Sequence, residues 1–139
     1  MNESGNVETV RSIYSAFTRG DVSGILDYID EAIVFTVPGS AAVPWSGVRR
    51  GIEEVRRFFE DLTRRLEFSV FQHLDFIAQG NRVVALIHYE GRDRTTSRGF
   101  SADAAMLWTF ANGKAIRCYE YTDTEALAAA ARPQAHSLA

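Results

Sequence analysis

The chain has 139 residues, 46% of them apolar and 24% charged, which suits one globular domain and argues against a disordered chain. A net charge of −3 gives no general attraction for nucleic acid or an anionic membrane, and no apolar run approaches the roughly 20 residues of a membrane span. One cysteine, Cys118, excludes an internal disulfide framework, and "MNESGNVETV" has no basic and apolar signal pattern, so the expected location is cytoplasmic.

Val7, Val10, Ile13, Tyr14 and Phe17 recur at spacings of three and four, which predicts a helix over "NVETVRSIYSAFTRGD". Gly20 ends it, and Asp21 caps a second short helix, "VSGILDYID". "AIVFTVPG" is β-branched and stopped by Pro38 and Gly39, which predicts a strand, and "SAAVPWSGVRRG" reads as a loop. "IEEVRRFFEDLTRRL" is the clearest helix. Ile52, Val55, Phe58, Phe59, Leu62 and Leu66 share its apolar face. Glu53/Arg57, Glu60/Arg64 and Asp61/Arg65 are spaced i,i+4 on the solvated face, each pair worth about 0.2–0.5 kcal/mol.

Four strands follow: "EFSVFQHLDFIA", "RVVALIHYEG", "GFSADAAMLWTF" and "KAIRCYEYT". "QGNR" and "ANGK" are tight turns, and "RDRTTSRG" reads as a solvated polar tip. "DTEALAAAAR" is a closing helix capped by Asp123 or Thr124. The expected arrangement is a single domain over residues 1–139, with a core at about 7–131 and a flexible tail at 132–139. Helices segregated from a largely antiparallel sheet make an α+β fold.

Both alternations of "RVVALIHY" and "AAMLWTF" are apolar, so both faces of the sheet want cover. Helices cover one. The other, carrying Val84, Leu86, Ala105, Leu107, Tyr119 and Tyr121, predicts a homodimer.

"VRSIYSAFTRGDVSGILDYIDEAIVFTVPG", "WSGVRRGIEEVRRFFEDL" and "NGKAIRCYEYTDTEAL" resemble, in that order, the SnoaL-like and ketosteroid-isomerase-like branch of the nuclear transport factor 2-like superfamily. The resemblance spans roughly residues 7 to 131. It implies a cone: a curved, mostly antiparallel sheet wrapped around three helices from the N-terminal half, with a short C-terminal helix and a mostly apolar pocket. The tyrosine of ketosteroid isomerases falls on Ile13, one place from Tyr14; their base falls on Val37 and their oxyanion acid on Met106. The acids and polar groups of limonene epoxide hydrolase fall on Phe35, Val37, Ile87, Tyr89 and Glu120. The polyketide cyclase pair falls on Met106 and Glu120. Only Glu120 keeps an acid.

Glu120 is therefore the candidate acid or base, with Tyr89 and then Tyr14 as hydrogen-bond donors. Strand register puts Ile116, Cys118, Glu120 and Thr122 on one side. Phe35, Val37, Trp45, Ile87, Met106, Trp108 and Cys118 are the expected ligand-binding wall. Asp103 should face away, and Asp123 should act as a helix cap. His73, His88 and His136 lack ligand spacing, so no metal or other cofactor is expected. The reading is a cofactor-independent enzyme moving a proton on a small apolar oxygen-bearing molecule, as an isomerase, cyclase or hydrolase. A non-catalytic binder of an apolar ligand and a dimeric interaction module of the same fold stay open beside it.

Overall fold

The computed structural model describes residues 2–133. The expected tail, from residue 134 on, lies outside the described residues, as does His136. Helix α1 spans Glu3–Thr18, starting earlier than its apolar pattern because Asn2 caps it, Oδ1 accepting from Gly5 N at 2.7 Å. Helix α2 is only Val22–Leu26, capped by Asp21, because strand β1 already begins at Ile29 and runs to Val37. The expected loop after it contains a strand, β2 (Gly47–Arg50), paired antiparallel with the end of β1. Helix α3 covers Ile52–Arg65 and buries Val55, Phe58, Phe59 and Leu62.

The i,i+4 ion pairs expected on α3 are not the ones formed. Glu53 pairs with Arg56 and Asp61 with Arg64, both at i,i+3. Arg65 turns away to Asp93, Nε to Oδ2 at 2.9 Å. Asp93 has no exposure at all, and a buried carboxylate must find a partner, so it outcompetes a solvated one.

Strands β3 (Leu66–Gln79), β4 (Arg82–Asp93), β5 (Gly99–Ala111) and β6 (Lys114–Thr122) form the meander, and helix α4 (Thr124–Ala131) closes the chain. Asp123 caps α4, accepting from Ala126 N at 3.0 Å. The sheet is curved and unclosed, in the order β2-β1-β6-β5-β4-β3. Every neighbouring pair is antiparallel except β1 with β6, which is parallel. The β5–β6 turn places Asn112 and Gly113 at positive φ, as "ANGK" requires.

The tip "RDRTTSRG" is not merely solvated. Arg94 Nη1 donates to the carbonyls of Thr63 and Arg64 at 2.6 and 3.0 Å, at the end of α3. Thr96 Oγ1 donates to Ala130 O in the last turn of α4 at 2.6 Å. Helix ends leave such carbonyls unpaired, and the hairpin tip satisfies both helices. It thereby fixes two helices that wall the interior.

Bulges decide which side chains face in. A register shift between Phe68 and Val70 turns both Phe68 and Phe71 inward. A shift at Thr109/Phe110 buries Ala115 and leaves Ile116, expected on the inner face, only half-buried. On the outer face Val84, Leu86, Ala105, Leu107 and Tyr119 are half-buried and Tyr121 is exposed, its ring 4.6 Å from that of Tyr119. Asp103 also faces outward, where it and Glu90 hold the two ring nitrogens of His88, each at 2.7 Å.

Candidate active site

Helices α1, α3 and α4 and five of the six strands aim side chains at one interior chamber of about 60 Å³. A water needs roughly 10–15 Å³ of such space, so the chamber holds several waters or a small ligand. Its wall is overwhelmingly apolar. Phe35 of β1 and Trp108 of β5 meet edge to face, with ring centroids 6.0 Å apart. Phe58, Phe59 and Leu62 of α3 and Leu127 of α4 close other sides.

Phe17, Leu66, Phe68 and Phe71 line this chamber and also an open cleft of about 490 Å³ outside it. They form an apolar partition, with Thr18, Thr63, Glu67, Ser69 and Arg94 as a polar rim beyond.

Among the described residues, Glu120 is the one carboxyl on the chamber wall. Burial pushes its pKa up to about 7, because a low-dielectric site penalises the charged form; a hydrogen bond donated by Tyr89 works against that rise. Among the described residues no Arg, Lys or His makes an ion pair with it. Tyr89 Oη lies 3.2 Å from Glu120 Oε2 and 2.8 Å from Thr122 Oγ1, and Thr122 Oγ1 donates to the Asp103 carbonyl at 3.0 Å.

Tyr14 stands on the α1 side of the chamber. Its Oη accepts from Trp108 Nε1 and donates to Met106 Sδ, both at 3.0 Å. A thioether is a weak acceptor, so a substrate oxygen would displace it readily. Burial first, and then the nearby Cys118 and Glu120, push the Tyr14 hydroxyl well up; burial first, and then Glu120, do the same to Tyr89. Both tyrosines stay protonated and serve as donors rather than bases. A carboxyl titrating near neutrality, in contact with one tyrosine hydroxyl and sharing an apolar wall with a second, is equipped for general acid or base chemistry.

Glu120, Tyr89, Tyr14, Phe35, Trp45, Ile87, Met106 and Trp108 all reach the wall. Val37 and Cys118, expected there, are buried but do not line it. Val37 is the last residue of β1, beyond the chamber. Cys118 pairs with Phe35 on one side and Trp108 on the other, and those two rings meet across its small side chain. Burial, then Glu120, raise its thiol pKa, so it is held as the unreactive thiol. Among the described residues no three His, Cys, Asp or Glu side chains gather as metal ligands, and no helix is long and apolar enough to cross a membrane.

Residues 10–118 match the SnoaL-like domain family. The chain belongs to that family. Solved structures of the same shape include an NTF2-like protein from Burkholderia xenovorans, 32% identical, covering 95% of this chain and 99% of the other with a TM-score of 0.87. An NTF2-like protein of unknown function from Burkholderia pseudomallei is 26% identical over 94% of this chain and 98% of its own, at a TM-score of 0.83. TerC, co-crystallised with polyporic acid, is 25% identical over 91% and 98%, at 0.81. No curated protein matches the chain in sequence.

Sequence patterning of this SnoaL-like chain left several wall residues unassigned. Phe17, Phe58, Phe59 and Leu62 were legible as helix faces turned inward, though not as chamber lining. Phe68 and Phe71 are three apart, which a period of two places on opposite faces; that misfit was the available signal of a bulge. Leu127 gave no signal, since its role follows from where α4 docks.

Proposed function

We propose that this SnoaL-like protein is an enzyme that works without a cofactor, with Glu120 transferring a proton on a small, mainly apolar, oxygen-bearing molecule. Isomerisation, intramolecular cyclisation and ring opening all fit that description. The observation carrying this reading is the one carboxyl that the described residues place on the chamber wall, its pKa raised to about 7 by burial, with Tyr89 in contact and the Tyr14 hydroxyl on the same wall. Tyr14, whose proton rests on the Met106 thioether, would hold the substrate oxygen, and Tyr89 would hydrogen-bond Glu120 itself. That a relative was co-crystallised with polyporic acid supports a small organic ligand, and anything larger than the chamber would displace the partition of Phe17, Phe68 and Phe71.

The test is an NMR titration with a cyclic ketone of six to eight heavy atoms, read on the indole N–H of Trp108. Saturable one-to-one shifts at Trp108 and the Tyr14 ring are expected. Shifts confined to Tyr121 and Leu107 would place binding on the outer surface and remove the ligand-based reading.

The outer face is proposed to pack on a second copy. Its apolar middle lies between a basic end, where Arg82 and Arg117 stand in register across Thr109, and an acidic end formed by Asp103 and Glu90. A two-fold axis through Leu107 sets the basic end of one copy against the acidic end of the other. Leu107→Arg would bury an unpaired charge there. Sedimentation should show a dimer for the native chain and a monomer for the variant; a native monomer at micromolar concentration would overturn the assembly.

A further inference from the structure

Thr122 follows Glu120 by two residues on β6 and so shares its face, at the half-exposed end of the strand. Two contacts join it to Glu120 through Tyr89 and a third ties it to the Asp103 carbonyl, and each can be assigned a proton by counting. A carbonyl only accepts, so the 3.0 Å contact with Asp103 O uses the single proton of Thr122. Thr122 Oγ1 must then accept from Tyr89 at 2.8 Å, which uses the single proton of Tyr89. The remaining 3.2 Å contact, between Tyr89 Oη and Glu120 Oε2, holds a proton only when Glu120 brings it. With Glu120 ionised the chain must run the other way. Thr122 then turns its proton to Tyr89, and the Asp103 contact is left without one.

We propose that Thr122 is a positioning residue that polarises Tyr89 away from Glu120, so that Glu120 meets its substrate as a neutral acid and gives a proton first. This rests on the catalytic reading of Glu120 and narrows its substrate to molecules that accept a proton at the outset: a ketone, an enol or an epoxide. In that step the Glu120 proton turns from Tyr89 to the substrate; the carboxyl O–H bond breaks, and an O–H bond forms on a ketone or epoxide or a C–H bond on an enol. The carboxylate left behind accepts the Tyr89 proton, and the Thr122 proton swings from Asp103 O to Tyr89. The cycle closes when the protonated substrate loses a proton from carbon or oxygen to Glu120, its electron pair staying with the product.

Burial acts in the same direction, since it too disfavours the ionised carboxyl. Among the described residues, the other ionisable groups facing the site are Tyr89 from β4, Tyr14 from α1 and Cys118 from β6, with Asp123 beyond the strand end facing Tyr89 and His73 of β3 behind the Tyr14 ring, outside the chamber wall. None is cationic, so none favours the carboxylate.

The experiment is a carbon-detected NMR titration of the Glu120 carboxyl in the native protein, Thr122→Val and Thr122→Ser. Thr122→Val frees the Tyr89 proton for Glu120, so the midpoint should fall by about one pH unit. Thr122→Ser keeps the hydroxyl and should restore the native midpoint. A role limited to strand packing would lower stability in Thr122→Val without moving the titration. An unchanged midpoint in the valine variant overturns the proposal; should that variant not fold, Thr122→Ala must show the same fall or the proposal is lost. No substrate is needed, so this result and the turnover of Glu120→Gln can fail separately.

Discussion

Glu120→Gln should abolish most turnover while leaving the fold as stable as before or more so. The amide keeps the shape of the side chain and has no proton to give, so the rate on any substrate turned over should fall by about 10²–10⁴. A variant within about threefold of the native rate would remove Glu120 from the chemistry. Stability should respond to pH in a defined way. The folded carboxyl titrates at about 7 against the ordinary 4.5. Below pH ~4.5 it is neutral in both folded and unfolded chains and the native protein suffers no penalty. As pH rises from there, the unfolded chain ionises first, so the native state loses stability until pH reaches about 7 and then levels off. The glutamine variant lacks that loss. Its advantage should appear between pH ~4.5 and ~7 and approach ~3 kcal/mol, read from denaturant melts across that window. An advantage that is flat with pH would mean the carboxyl is solvated in the folded state.

Gly91→Ala should be among the most damaging single-methyl changes in the chain. Gly91 pairs with Phe68 beside the first bulge of β3. A Cβ there would stand 2.1 Å from the Glu67 carbonyl oxygen and 2.9 Å from the Phe100 ring. The obstacle is backbone, so β3 itself must retreat. Overpacking of this kind costs about 1–3 kcal/mol or more, which lowers the melting temperature by several degrees in a domain of this size. The same retreat carries Phe68 with it and loosens the partition between chamber and cleft. Faster uptake of a chamber ligand should therefore accompany the lower melting point. A variant that melts with the native protein would show that β3 and β4 have room to separate there.

The elements other than β2, and their order, were legible because each depends on local pattern: the three-and-four spacing of α3, the β-branched β1, the "ANGK" turn. The α+β fold and the SnoaL-like family followed from those and from three stretches of residues in sequence. That Glu120 shares a face with Cys118 and Thr122 was legible from alternation, whereas its facing the pocket was implied by the family resemblance, and Ile116 left that face at the bulge. What failed was whatever depends on a neighbour far along the chain. Arg65 ignores Asp61 for Asp93 because burial elsewhere sets the stronger demand. β2 was hidden because "GVRR" becomes a strand only through β1 beside it. Phe71 reached the chamber through a bulge that no period of two can represent. The same limit holds at the site. Thr122 shares the Glu120 face by register, yet its place in the hydrogen-bond chain depends on a carbonyl of β5.

The single parallel pairing, β1 on β6, has a consequence for how the chain reaches its native state. Strands β3 to β6 are joined by hairpins and can assemble from neighbours, whereas β1 must wait for a partner about 80 residues further on, a closure whose entropy cost grows with the logarithm of that length. Ile33 and Phe35, wholly buried in the end, therefore spend that interval with β2 as the only strand beside them. A nascent chain in which β6 is still inside the ribosome has made α1, β1 and α3 but has no completed sheet to lay them on. The N-terminal half is thus the portion expected to stay exposed longest during synthesis, and the docking of β1 on β6 the step expected to end that exposure.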